Sequence, residues 1–100
     1  MQAVRALGTA GLRRASNAEK FIQEIQTNYQ IDIAVISGDR EAQLIHKGVT
    51  LATGQLSQRS MIMDIGGGSV EFIICDNENI YWSQSFPIGV AVLHLSLIHI

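Results

Sequence analysis

Hydrophobic and polar positions along this chain fall into two successive patterns. Val4 to Thr9 is a short, mostly apolar run that reads as a strand. The stretch SNAEKFIQEIQTNY follows. Ser16 and Glu19 stand at capping-box spacing, and Ala18, Phe21, Ile22, Ile25 and Tyr29 recur at helical intervals. Together they predict an amphipathic helix that ends near Asn28. Ile31 to Ser37 is β-branched and partly alternating, which predicts a second strand. After Gly38, Asp39 and Glu41 put negative charge where the macrodipole of a new helix favours it. Ala42, Ile45, Val49, Ala52 and Leu56 carry that helix on, and Gly54 is a candidate end. Strand, helix, strand, helix is the order of a parallel α/β layer.

Beyond Ser57 the period changes. MIMDI, VEFIICD and NIYWSQSF read as three consecutive strands, the last two joined by a hairpin-type turn at Asp76 to Asn79. Pro87 and Gly89 close the third strand, and Gly89 to Leu93 opens a helix. A β-meander and a helix therefore follow the α/β segment, with a boundary expected near Gln58. Residues 1–58 form one part and 59–93 the other. The ending LSLIHI has no strong pattern and resembles the translation of a common sequencing-adapter end. Residues 94–100 are expected to be a scar of sequence assembly, so they carry none of the functional reading.

Composition narrows the classes. With 47% hydrophobic and 16% charged residues among 100, the chain is globular material. Its length suits one small domain or two incomplete ones. A net charge of −2 gives no basis for nucleic-acid binding. The longest apolar stretch, from Ile88, is too short to span a membrane and contains two histidines. The N-terminal stretch lacks the sustained apolar core of a signal peptide, so a cytoplasmic location is expected. The single cysteine, Cys75, excludes an internal disulfide and a multi-cysteine zinc site, and is expected to pack in the sheet. His46 reads as a surface residue, and Tyr81 and Trp82 as core or strand-face residues.

The chemistry concentrates in MDIGGGSVEF, Met63 to Phe72. A strand, not a helix, follows the glycines, which disfavours a Rossmann loop. The lysine of a Walker A loop is absent. What remains is a strand–loop–strand hairpin with bare backbone at its tip. Gly66, Gly67 and Gly68 can turn their amides toward an anion, and Ser69 can add a hydroxyl donor. Asp64 and Glu71 flank the loop and can hold a divalent cation beside a bound phosphate. A plain glycine-rich hairpin with two solvated acids accounts for the same residues.

DIGGGSVEF resembles the second phosphate loop of the exopolyphosphatase and guanosine pentaphosphate phosphohydrolase family, Ppx/GppA. ALGTAGLRRASNAEKFI, VISGDREAQLIHKGV and SFPIGVAVL resemble further family segments, in the right order. The resemblance implies an α/β, actin-like (ribonuclease H-like) fold, with this chain spanning the end of the first domain and the start of the second. It implies hydrolysis of a terminal phosphoanhydride of polyphosphate or guanosine pentaphosphate, with Mg²⁺. Glu41 matches the catalytic glutamate, and Arg13 an arginine facing the phosphate chain. Gly66 to Ser69 match the phosphate cradle, and Asp64 and Glu71 the metal-side acids. Full-length relatives tend to form homodimers through other parts of the protein. Arg40 stands where an acid is frequent in the family, and Val70 where threonine is common. The family's first phosphate loop has no counterpart, so Met1 is expected to be internal to a longer protein, and the isolated chain inactive. Two rival readings are an actin-fold kinase and a non-catalytic alarmone- or phosphate-binding module.

Overall fold

Two short strands open the chain and pair in parallel. The computed structural model describes residues 3–98, and by packing the chain divides into Met1–Ser37 and Gly38–Ile100. In the first unit, β1 (Ala6–Gly8) is followed by α1 (Ala10–Arg14), α2 (Ala18–Tyr29) and β2 (Ile33–Val35). Ala6 lies opposite Ile33 and Gly8 opposite Val35. The pairing continues one step, with Ile36 N–H donating to Gly8 O at 3.0 Å. Gly8 is buried, and a Cβ there would meet Leu12 Cδ1 at 2.7 Å, so β1 and α1 pack closely.

Local chemistry in this unit differs from the sequence reading in two places. The capping box does not form. Asn17 is the N-cap of α2, no side chain caps it, and Phe21 N–H bonds to Asn17 O. The helix stops instead at Gln30, whose φ of +54° turns the backbone left-handed. The short helix α1 was not foreseen, because five residues including Gly11 are too few to show a period.

In the second unit, α3 (Gly38–Thr53) precedes an antiparallel sheet of β3 (Ser60–Ile65), β4 (Val70–Cys75) and β5 (Ile80–Phe86), and α4 (Val90–Ile98) follows. Gly54, at φ +80°, ends α3 as expected. The central strand β4 runs between its neighbours, with Asp64 opposite Glu71 and Glu71 opposite Ser85. Strand alternation puts Glu71, Ile73 and Cys75 on one face. α3 covers that face: Ala42 joins Ile73 and Cys75 in the core, and Ile45, Leu56, Ile62 and Ile80 pack around them. This packing groups α3 with the meander, whereas the sequence pattern suggested a boundary near Gln58. The opposite face carries Met61, Met63, Ile65, Trp82 and Phe86, all exposed. There Phe72 and Phe86 meet edge to face at 5.7 Å.

Two further features shape the meander. The β4–β5 register shifts at Ile74 and Cys75: Ile74 pairs with Trp82, Cys75 with Ile80, and Tyr81 is the extra residue of a bulge. The helix α4, expected to stop near Leu93, continues to Ile98 and buries none of its residues.

Candidate functional site

The glycine segment joins β3 to β4 as a four-residue loop, Gly66 to Ser69. Gly66 N–H donates to Ser69 O at 2.9 Å and closes it. Ser69 is buried, and its hydroxyl donates to Glu71 Oε1 at 2.5 Å. Two of the four donors expected for an anion are thus engaged within the loop. The glycines serve different needs. A Cβ on Gly66 would crowd Ser69 O at 3.2 Å, while one on Gly67 would meet only Ala91 Cβ, at 4.0 Å. Neither residue has a left-handed φ. Packing therefore does not require glycine at the exposed Gly67.

Glu71 is buried at 3% exposure and anchors the base of the loop. Its Oε1 accepts the hydroxyls of Ser69 and, at 2.9 Å, Ser85. Among the described residues, no fully buried side-chain nitrogen or oxygen lacks a partner. Asp64, its cross-strand neighbour, is exposed. The two acids stand directly opposite each other on one face of the sheet. Ser85 escaped the sequence reading, because only the register of β5 sets it beside Glu71.

Helix α3 brings Glu41 to the same side of the sheet. Ala42 packs on Ile73 and Cys75, and one turn later His46 Nε2 donates to Asp76 O at 2.7 Å. Glu41, half-buried, precedes Ala42 in the first turn of α3. His46 is not a bare surface residue but a tie between α3 and the β4–β5 turn. Arg13 lies in the first unit, where its Nη1 donates to Ile36 O at 2.7 Å and fastens α1 to the end of β2.

The start of α4 meets the loop directly. Val90 N–H donates to Gly66 O at 2.9 Å, and Ala91 N–H to Gly67 O at 3.0 Å. Gly89 is buried against the Gly67–Gly68 peptide. The sequence signal for this contact was a lone glycine between Pro87 and a helix start, read only as a strand terminator.

At the far end of the meander, Asp76 organises the β4–β5 turn. A hydrogen bond from the Tyr81 hydroxyl holds its carboxyl below the usual aspartate range, aided by the amides of Asn79 and Glu78 and the charge of Arg59. Arg59 itself lies 4.2 Å from the Tyr81 ring centre. Burial, with a smaller push from Asp76, raises the Cys75 thiol above its ordinary value. Cys75 is fully buried, as its sequence pattern suggested. Tyr81 and Trp82 are exposed rather than core.

Comparison with known proteins identifies the lineage of this arrangement. The model of the Ppx/GppA phosphatase family matches residues 1–99. The chain belongs to the Ppx/GppA phosphatase family. Among solved structures it is similar to an exopolyphosphatase from Cytophaga hutchinsonii, with 45% identity and a TM-score of 0.90 over 96% of this chain and 31% of that one. An exopolyphosphatase-like protein shares 28% identity at a TM-score of 0.78, covering 89% of this chain and 29% of its own. The Aquifex aeolicus member of the Ppx/GppA family shares 26% identity at a TM-score of 0.69, covering 96% and 31%. The chain thus spans about a third of the length of these relatives. Among the described residues, no helix is long and apolar enough to cross a membrane.

Proposed function

We propose that the whole Ppx/GppA protein containing this segment hydrolyses a terminal phosphoanhydride of inorganic polyphosphate or guanosine pentaphosphate. What supports this reading is the packing of α3, which carries Glu41, on β4, which leads into the glycine loop: Ala42 joins Ile73 and Cys75 in one core.

The loop amides gather charge on the terminal phosphoryl group, where developing negative charge needs donors already in place. Arg13 contributes a guanidinium toward the phosphate chain. Glu41 accepts a proton from a water molecule as its oxygen bonds to the terminal phosphorus. The bridging P–O bond breaks, and the shortened chain leaves with its electron pair. The residues also suit a divalent cation. Mg²⁺ is commonly held by one or two carboxylates together with substrate phosphates and water. Asp64 and Glu71 offer such a sparse set, and the described residues hold no cluster of three or more ligands that would suggest a closed metal cage. When bound, the cation offsets phosphate charge.

Phosphate release by the whole protein tests the reading. Incubation with polyphosphate or guanosine pentaphosphate in Mg²⁺ is expected to liberate orthophosphate from at least one. Transfer to an acceptor instead of water, or tight binding with no release from either, would overturn it.

A further inference from the structure

The contact between α4 and the glycine loop assigns a role to residues outside the loop. Each trans peptide points its C=O and its N–H in opposite directions. Gly66 O is drawn to Val90 N–H, so the N–H of Gly67 in that peptide points away from α4. Gly67 O is drawn to Ala91 N–H, so the N–H of Gly68 points away as well. The first amides of a helix have no partner within it. Here two of them grip successive loop carbonyls and orient both peptides alike.

Gly89 makes the grip possible. A Cβ there would lie 2.3 Å from Gly67 O, 2.4 Å from Gly67 C and 2.5 Å from Gly68 N. These are backbone atoms, so no rotamer change relieves the clash. Any side chain at residue 89 must push the Gly67–Gly68 peptide off the helix start.

We propose that Gly89 and Val90 are positioning residues: they lock the loop's peptide planes so that the Gly67 amide faces outward toward a phosphoanhydride. The role rests on the phosphate-binding reading above for its ligand, but the lock itself is a property of the loop and α4. Neither residue touches the reacting atoms. They act through the loop, as supports hold a site to the narrow tolerance it needs.

Three variants of the whole protein test this. Gly89→Ala forces the peptide away. Val90→Pro deletes the amide donor and sets the proline Cδ where the N–H met Gly66 O, so the Gly66–Gly67 peptide must move away; proline is otherwise tolerated at the first position of a helix. Val90→Ala keeps the amide and serves as the conservative control. Hydrogen–deuterium exchange is followed in peptides covering 66–69 and 88–93, with Ile73 peptides as the core reference. Inorganic tripolyphosphate binding is measured by calorimetry on the same samples.

The first two variants are expected to speed exchange in the loop and helix start while the Ile73 peptides stay protected. Val90→Pro should weaken tripolyphosphate binding by at least about two- to tenfold, the value of the lost hydrogen bond alone, and Gly89→Ala should weaken it as well. Val90→Ala should behave as wild type. If Gly89→Ala disrupts the core, Val90→Pro decides alone. Unchanged loop exchange in Val90→Pro would overturn the lock. Wild-type protein that binds no tripolyphosphate, yet shows the exchange changes, would instead remove the phosphate reading and leave the lock standing.

Discussion

Ser69 and Ser85 converge on one oxygen of Glu71, from the glycine loop and from the neighbouring strand, at 2.5 and 2.9 Å. The carboxylate is buried, so its removal strands two hydroxyl donors. Glu71→Ala is expected to cost about 1–3 kcal/mol, the penalty of buried polar groups left unpaired. Ser85→Ala removes one bond and should cost about 1 kcal/mol. Urea unfolding of both variants checks the order. A Glu71→Ala protein as stable as wild type would show that the network holds nothing.

Glu41→Gln separates binding from chemistry in the whole protein. The amide keeps the shape but cannot take a proton from water. A positioned general base contributes about 10²–10⁴ in rate, so kcat should fall by that factor with substrate affinity kept. Near-normal turnover in steady-state phosphate release would remove Glu41 from the role.

Acid should weaken the β4–β5 turn. Folding lowers the Asp76 pKa, chiefly through the Tyr81 hydroxyl. The stability this gives is fully present above the ordinary aspartate pKa of about 3.9, and is lost as pH falls through the lower folded value. Asp76→Asn should therefore lose stability at neutral pH, and its deficit should shrink below about pH 4. Thermal unfolding of both proteins from pH 7 down to 2 measures the gap. A constant gap would mean that the carboxylate charge is irrelevant.

Cys75 should be inert while the sheet is folded. Burial denies access to the sulfur and raises its pKa, so little thiolate forms at neutral pH. Iodoacetamide followed by intact-mass measurement should show negligible labelling in buffer and full labelling in denaturant. Rapid labelling of the native protein would place Cys75 at a surface.

The strands and long helices were legible because each repeats its period several times. MIMDI, VEFIICD and NIYWSQSF fall on β3, β4 and β5, and the charged start and Gly54 end of α3 lie where their chemistry put them. Short and cross-chain features were not. The helix α1 is too brief for a period, and Ser16 with Glu19 matched a capping pattern that the backbone does not use. Around the candidate site, the glycines and acids announced themselves by residue type. Ser85 and Gly89 did not, since their roles depend on sheet register and on α4 returning to the loop. Two loop donors expected for an anion, Gly66 N–H and the Ser69 hydroxyl, are turned inward by bonds that no linear pattern reveals.

The bulge at Tyr81 has a consequence for how this strand can vary. Ile80 and Ser85 differ in parity, so an unbroken strand would send them to opposite sides. The single skipped residue reverses phase between them, letting Ile80 pack on the core while Ser85 reaches Glu71. Deleting or inserting one residue between them would force β5 to choose between packing and polar network. Single-residue length changes there are closed to this sheet, even where substitutions are tolerated.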